Sequence, residues 1–341
     1  MNTHKREIDM ITRRLALKTL MTAAGPLGAL FALPGAMAQP RTVNGWPNRV
    51  VKIVVPAGAG GQTDLFARFM ADQLGKAFGQ PFIIDNKPGA SGNIGAMAVA
   101  KSPNDGYNLL FTAGSFSVVP QALQASPPYD LVKDFQPIVQ IGAGGQFLAV
   151  SANSSIKTVA DLLTKAQSGL MNYGTTGVGS VTHILMAALL EKARVKMTHI
   201  PYKSGAEVLR ELMGGTLEVG WVDTTTGGPA AKSDKIRLLG ISGTIRVPGN
   251  PDVKTLQEQG YGLDLNGWLG LFARAGTPDA IVMAVNNEVL RIMTSEEALS
   301  RLTAMNIGVF PPNTPEQYSQ TVQRDLRAWK KIIADNNIQS E

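Results

Sequence analysis

The sequence predicts an α/β fold organised as two lobes, with mainly parallel sheets. Three observations carry this expectation. Short β-rich apolar runs alternate with amphipathic helical patterns along the chain, the rhythm of strand–helix–strand units. A strand–glycine–helix turn occurs once in each half. The roughly 300 residues beyond the N-terminal segment exceed what one hydrophobic core organises.

The first segment reads as an address. Lys5, Arg6, Arg13, Arg14 and Lys18 precede an apolar run over 19–33, and Ala36-Met37-Ala38 stands before Gln39. A basic start, an apolar middle and a small-x-small end describe an export signal over 1–38, cleaved after Ala38. Thr12-Arg13-Arg14-Leu15-Ala16-Leu17-Lys18 follows the twin-arginine pattern. Gly25-Pro26 interrupts the apolar run, which falls short of the roughly 20 residues a spanning helix needs, so a cleaved signal fits better than an anchor. The expected location is periplasmic. The chain has no cysteine, which excludes disulfides and a lipid-modified N-terminal Cys. Residues 1–38 hold 5 of the 32 Lys and Arg and 2 of the 26 Asp and Glu, leaving a net charge of +3. With no Lys/Arg cluster interleaved with aromatics, nucleic acid is excluded as a partner.

Strands are expected at 50–55, 82–85, 108–112, 147–150, 197–200, 217–223, 237–242 and 270–273, each a short run rich in apolar residues. The first helix, 63–78, aligns Phe66, Phe69, Met70 and Ala77 on one face. A second starts near Ser91, after the turn Lys87-Pro88-Gly89. Thr158-Val159-Ala160-Asp161 and Ser204-Gly205-Ala206-Glu207 read as capping boxes, and Gly214-Gly215 stops the latter helix. Thr314-Pro315-Glu316-Gln317 opens a long terminal helix whose apolar face carries Val322, Leu326, Trp329 and Ile333. There is no fixed-period repeat and no low-complexity tract.

The most informative stretch is Val54-Val55-Pro56-Ala57-Gly58-Ala59-Gly60-Gly61-Gln62-Thr63-Asp64. Glycine lets backbone N–H groups turn toward a ligand, and the helix N-terminus that follows adds partial positive charge. Ala57, Gly58, Ala59, Gly60, Gly61 and Thr63 are therefore expected to cradle an anion, with Asp64 organising the helix start or meeting a water or amine of the ligand. A dinucleotide fold competes, since Asp85 closes the next strand near the distance a ribose-binding acid needs. That fingerprint fails at Thr63, where glycine is required, and at Asp64, whose carboxylate would repel pyrophosphate. A bare tight turn, the simplest alternative, needs fewer glycines than Gly58, Gly60 and Gly61 together.

Asn172-Tyr173-Gly174-Thr175-Thr176-Gly177-Val178-Gly179-Ser180-Val181-Thr182-His183 repeats the plan in the other half. Thr175, Thr176 and Ser180 taken singly are ordinary turn and cap residues. Two such loops facing each other would grip a carboxylate between lobes, so Asn172, Tyr173, Gly174, Thr175, Gly179 and Ser180 join the candidate site. His183, on the first turn of its helix, is expected to pack or hydrogen-bond beside the loop. After residue 38 it and His199 are the only histidines, and neither has a nucleophile motif beside it. Gly240-Ile241-Ser242-Gly243-Thr244 misses the nucleophile-elbow pattern at Thr244, and no metal-ligand spacing occurs. The expectation is a non-enzyme without metal or cofactor. Hydrogen bonds to a charged group contribute roughly 1.5–3 kcal/mol each, so four or five supply the ~8 kcal/mol of a micromolar complex without an arginine.

With Pro201-Tyr202-Lys203 and Asp223, these loops resemble the Bug-type receptors of tripartite tricarboxylate transporters. The likeness continues through Asp85-Asn86-Lys87-Pro88-Gly89-Ala90-Ser91-Gly92-Asn93-Ile94-Gly95, Asp105-Gly106-Tyr107, 128–135, Trp268-Leu269-Gly270-Leu271-Phe272-Ala273 and Ala275-Gly276-Thr277-Pro278. The resemblance implies a two-lobed periplasmic binding protein of the type II-like kind, with its ligand cleft between lobes joined by crossing strands. One lobe would take 41–142 plus 266–341 and the other 143–265. It also implies a small carboxylate-bearing ligand held by amides, hydroxyls and waters, membrane permease subunits as partners, and a monomer. Thr112 and Ser115 would line the cleft, and Asp223 would face the variable part of the ligand. Where the family commonly has Phe and Pro, this chain has Ala57 and Ala59, which enlarges the pocket and softens the loop. An exported nicotinamide- or flavin-dependent oxidoreductase and a ligand sensor without a transport role are the alternatives.

Overall fold

The computed structural model describes residues 41–168 and 171–338. The expected export signal and its cleavage point lie outside these residues. The chain runs β1 (Val51–Val55), α1 (Gln62–Phe78), β2 (Phe82–Asn86), α2 (Asn93–Ala100), β3 (Asn108–Ala113), α3 (Gly114–Leu123), β4 (Phe135–Gly144) and β5 (Gln146–Ser151). It continues α4 (Val159–Ala166), β6 (Asn172–Thr175), α5 (Val181–Ala193), β7 (Thr198–Pro201), α6 (Gly205–Gly214), β8 (Val219–Asp223), α7 (Thr224–Lys232) and β9 (Ile236–Ile241). The last elements are β10 (Gly267–Arg274), α8 (Asp279–Met293), α9 (Glu296–Ala304), β11 (Gly308–Val309) and α10 (Pro315–Asp335).

Among the described residues the strands form two sheets, ordered β11-β4-β10-β3-β1-β2 and β7-β6-β8-β5-β9. Both sheets are mixed, which corrects the mainly parallel expectation. β1 runs parallel to β2 and β3, and β6 parallel to β7 and β8. β4, β5 and β10 pair antiparallel with their neighbours. The cause is the crossing between sheets. β4 ends at Gly144 in one sheet and β5 begins at Gln146 in the other, so the chain passes through with no helix to reverse it. It returns between β9 and β10. Gly267 of β10 pairs with Gly144 of β4, which brings the two crossings side by side.

Local sequence explains the elements that position the cleft. The β-branched run of β1 has Val51, Ile53 and Val55 fully buried, and α1 lays Phe66, Met70 and Leu74 over it. Gly79 ends α1 in a left-handed conformation at φ 68°. Both capping-box residues bond reciprocally at Thr158/Asp161 and at Thr314/Gln317. At α6 the Ser204 hydroxyl accepts from the Glu207 N–H, while the Glu207 carboxylate reaches one residue further back, to the Lys203 N–H. α10 packs on α3 and β4 of the first sheet and reaches α5 of the second, where Asn336 Nδ2 donates to Glu191 Oε2 at 3.0 Å. It straps the two lobes together on one side.

Candidate functional site

A cleft of about 760 Å³ opens between the sheets. Five helices direct their N-terminal ends at it: Gln62 of α1, Gly114 of α3, Val181 of α5, Gly205 of α6 and Thr224 of α7, each the first residue of its helix, all line the cavity. The helix N-terminus carries partial positive charge and unpaired N–H groups. α1 and α3 carry no side-chain cap, so their first turns are left for an occupant of the cleft. Among the described lining residues no Lys, Arg or His appears, and Asp223 is the one ionisable side chain. The cleft is thus electropositive through its backbone.

Hydroxyls hold the second loop. Ser180 Oγ donates to Gly177 O at 2.8 Å and accepts from the His183 N–H at 3.2 Å. Thr182 Oγ1 lies 2.9 Å from Ser180 Oγ and accepts from the Thr176 N–H at 3.0 Å. Thr176, Gly179, Ser180 and Thr182 all line the cleft. Behind them Gly179 N–H donates to His183 Nδ1 at 3.1 Å, and His183 stacks on His199 at 4.1 Å between ring centres. Burial lowers the pKa of His183, and burial together with the neighbouring His183 takes His199 down to about 4. His199 Nε2 in turn meets Thr175 Oγ1 at 2.6 Å.

The first loop is organised by Asp64, which is 1 % exposed. One oxygen accepts from the Gly60 N–H at 2.8 Å and from Arg68 Nε, and the other from Asn86 Nδ2. Burial pushes this carboxyl upward, but hydrogen bonds from Arg68, Gly60 and Asn86 outweigh it and hold the pKa below the usual range. Asp223 caps α7: one oxygen accepts from the N–H groups of Thr225 and Thr226, the other from the Thr226 hydroxyl at 2.8 Å.

Of the residues singled out in the sequence, Ser115, Gly179, Ser180 and Asp223 line the cleft. Gly58, Ala59, Gly60 and Gly61 are exposed beside Gln62, and Ala57 is half-buried. They stand outside the lining because the loop folds back on Asp64, which takes the Gly60 N–H an anion would have used. Thr63 and Asp64 are buried. Thr112 is fully buried, its hydroxyl donating to Ala113 O at 3.2 Å. Thr175 is spent on His199, and Gly174 packs so tightly that a Cβ would lie 2.4 Å from Leu217. Tyr173 and His183 border a separate cavity with Glu191 and Lys196, and Asn172 is exposed at the start of β6.

Sequence reasoning included Gln62 only as part of the first loop, and missed Trp268, Asn266 and the crossing itself. Gly144, Gly145, Gln146, Ser242, Asn266 and Gly267 line the cleft where the chain passes between sheets. Gln146 N–H donates to Ser242 Oγ at 2.9 Å, and Asn266 Oδ1 accepts from the Thr244 N–H at 2.8 Å. A Cβ on Gly145 would sit 2.0 Å from Ser242 O, so only glycine permits the two crossings to touch. The Gly144-Gly145 pair between two apolar runs was the available signal.

Two α/β lobes, joined by adjacent crossing strands around a cleft, define the class of periplasmic solute-binding proteins. The chain belongs to the tripartite tricarboxylate transporter family of receptors, whose pattern matches residues 66–338. A UPF0065 protein of Bordetella bronchiseptica is 33% identical over 322 residues, covering 94% of this chain and 93% of its own. Among solved structures, R. palustris Rpa4515 with adipate superposes with TM-score 0.73 at 30% identity, covering 86% of this chain and 99% of its own. MatC from Rhodopseudomonas palustris with bound malate gives 0.70 at 29%, covering 84% and 99%. The protein is a receptor of that transporter class.

Proposed function

We propose that the cleft captures a small carboxylate-bearing organic molecule and that the closed receptor presents it to the permease subunits of its transporter, without chemistry. The observation that carries this reading is the convergence of five helix N-termini on one cavity whose only ionisable lining residue, among the described residues, is an acid. At about 0.3–1 kcal/mol each, the four N-termini other than that of α7, which the Asp223 carboxylate caps, contribute roughly 1.2–4 kcal/mol. Two or three charge-assisted hydrogen bonds from N–H groups of Gly114, Ser115 and Thr224, worth roughly 1.5–3 kcal/mol each, reach the micromolar range. The carboxylates in two similar structures support the same ligand class.

In this reading Ser115, Gly179, Ser180 and Asp223 border the ligand directly. The loop of Ala57, Gly58, Ala59, Gly60 and Gly61 acts as a rim that Asp64 holds in shape, with Thr63 in the same helix turn. Thr112, Asn172, Tyr173, Gly174, Thr175 and His183 support the two loops from behind. The mature receptor begins after Ala38 and works as a monomer that docks through both lobes. The test is a thermal-shift screen of the mature chain with adipate, malate and aromatic acids, paired with native mass spectrometry for a carried-over solute. A bound acid raises the melting temperature in proportion to the logarithm of its concentration. No shift with any acid, and no carried-over anion, removes the proposal.

A further inference from the structure

A second cavity, of about 690 Å³, shares Val178 with the cleft. One face of α5 lines it, since His183, Ala187, Leu190 and Glu191 follow each other at helical spacing. Val195 and Met197 line it too, as do Asn336 and Ile338 at the end of α10. Two polar groups here lack a partner among the described residues. Tyr173 is 4 % exposed, and its hydroxyl makes no hydrogen bond to another described residue. His183 accepts the Gly179 N–H at Nδ1, so in the neutral ring Nε2 carries the proton. That Nε2–H donates to no described residue.

We propose that this cavity is a second ligand site, for a phenol-sized neutral molecule whose oxygen accepts the His183 Nε2–H, and that its occupant steadies the loop facing the cleft. The site is independent of what the cleft holds. Its volume lies within the roughly 300–1,000 Å³ of small-molecule sites, and a mainly apolar lining with a few polar groups is their usual make-up. Charge favours a neutral occupant. Glu191 and Lys196 border the cavity with opposite signs, and Glu191 already accepts from Asn336. The route to the cleft is short. A ring that donates at Nε2 becomes a stronger acceptor at Nδ1, and Nδ1 holds the N–H of Gly179, which lines the cleft.

Amide-resolved NMR of the mature chain, titrated with p-cresol, reads the site. The expected result is saturable movement of the Val178, Gly179, Leu190 and Met197 amides, with Ser115 and Thr224 unmoved. Imidazole nitrogen spectra should show His183 protonated at Nε2, and that nitrogen moving with p-cresol. Toluene keeps the apolar body and lacks the oxygen, so it should bind about fivefold more weakly through loss of one hydrogen bond. Ala187→Phe, which puts a ring into the cavity from outside the cleft lining, should abolish the p-cresol shifts. No saturable shift, shifts centred on Ser115 and Thr224, or undiminished binding in Ala187→Phe overturns the site. Equal affinity for toluene, or a His183 protonated at Nδ1, overturns the role given to the Nε2 donor.

Discussion

Asn306 and Thr224 join the two lobes: Asn306 Nδ2, on the loop before β11, donates to the Thr224 carbonyl at the head of α7 at 3.0 Å. The same side chain meets Asn250 Oδ1 at 2.9 Å and accepts from the Gly249 N–H at 2.7 Å. Beside it Gln62 Nε2 donates to Thr225 Oγ1 at 2.9 Å. Asn306 is 6 % exposed and sits at φ 55°, a left-handed conformation that Asn tolerates. These contacts draw the lobes together over the cleft.

Asn306→Ala should destabilise the chain by about 1–3 kcal/mol, since it leaves buried backbone groups unpaired. Chemical denaturation measures the loss, and X-ray scattering should show a larger radius of gyration as the lobes part. Asn306→Gly, which relieves the backbone without restoring the bonds, should behave the same way. Wild-type compactness in both variants would show that the contact does not hold the lobes.

Gly228 gives a change of sign. Gly→Ala within a helix ordinarily gains roughly 0.5–1 kcal/mol. At Gly228 a Cβ would lie 2.5 Å from Asn250 Oδ1 and 2.9 Å from Asn306 Nδ2, so Gly228→Ala should destabilise. Gly214 of α6, whose nearest neighbour is 4.0 Å away, is the contrast: Gly214→Ala should stabilise. Melting temperatures that move in the same direction for both contradict the tight approach at Asn306.

Ser180→Ala should cost about 0.5–2 kcal/mol of stability through loss of the α5 cap. The hydroxyl is committed to Gly177 O and the His183 N–H, so the effect on ligand affinity follows from a loosened loop. An unchanged denaturation midpoint would show that the cap contributes nothing.

Acid should weaken the protein through its histidine pair. Burial favours neutral His183 and His199 in the folded chain, the latter with a pKa of about 4 against an ordinary 6.5. The unfolded chain takes up protons first as pH falls, so the stability these groups contribute is complete above 6.5 and declines toward 4. Neutral His183 also accepts the Gly179 N–H, which a protonated ring cannot do. Melting temperatures followed from neutral pH down to about 4 should fall, with a shallower decline in His199→Asn. Equal slopes would remove the pair from the acid response.

The strands and the capped helices were legible in the sequence because their signals are local. The run before Pro56, the boxes at Thr158 and Thr314, and the Gly215 stop each depend on residues a few positions apart. α7 was illegible for the opposite reason. Thr224-Thr225-Thr226-Gly227-Gly228-Pro229 is a poor helix former, and its helix exists because Asp223 caps it and Gly228 admits Asn306 from a distant part of the chain. Within the site, Ser115, Gly179, Ser180 and Asp223 were readable as strand–helix junctions. Thr175 and the glycines of the first loop were not separable from them, because only the fold decides which side of a junction faces the cleft. Asn306 carries no sequence signal.

If backbone amides at converging helix ends hold a carboxylate, those amides should sense its charge. Amide-resolved NMR of the mature chain, titrated with adipate and phenylacetate and then with their carboxamides, measures this most directly. The expected result is saturable movement of the Gly114, Ser115 and Thr224 amides with at least one acid and not with its amide. Shifts confined to the cavity bordered by Tyr173, His183 and Lys196, or equal responses to acid and carboxamide, would contradict it.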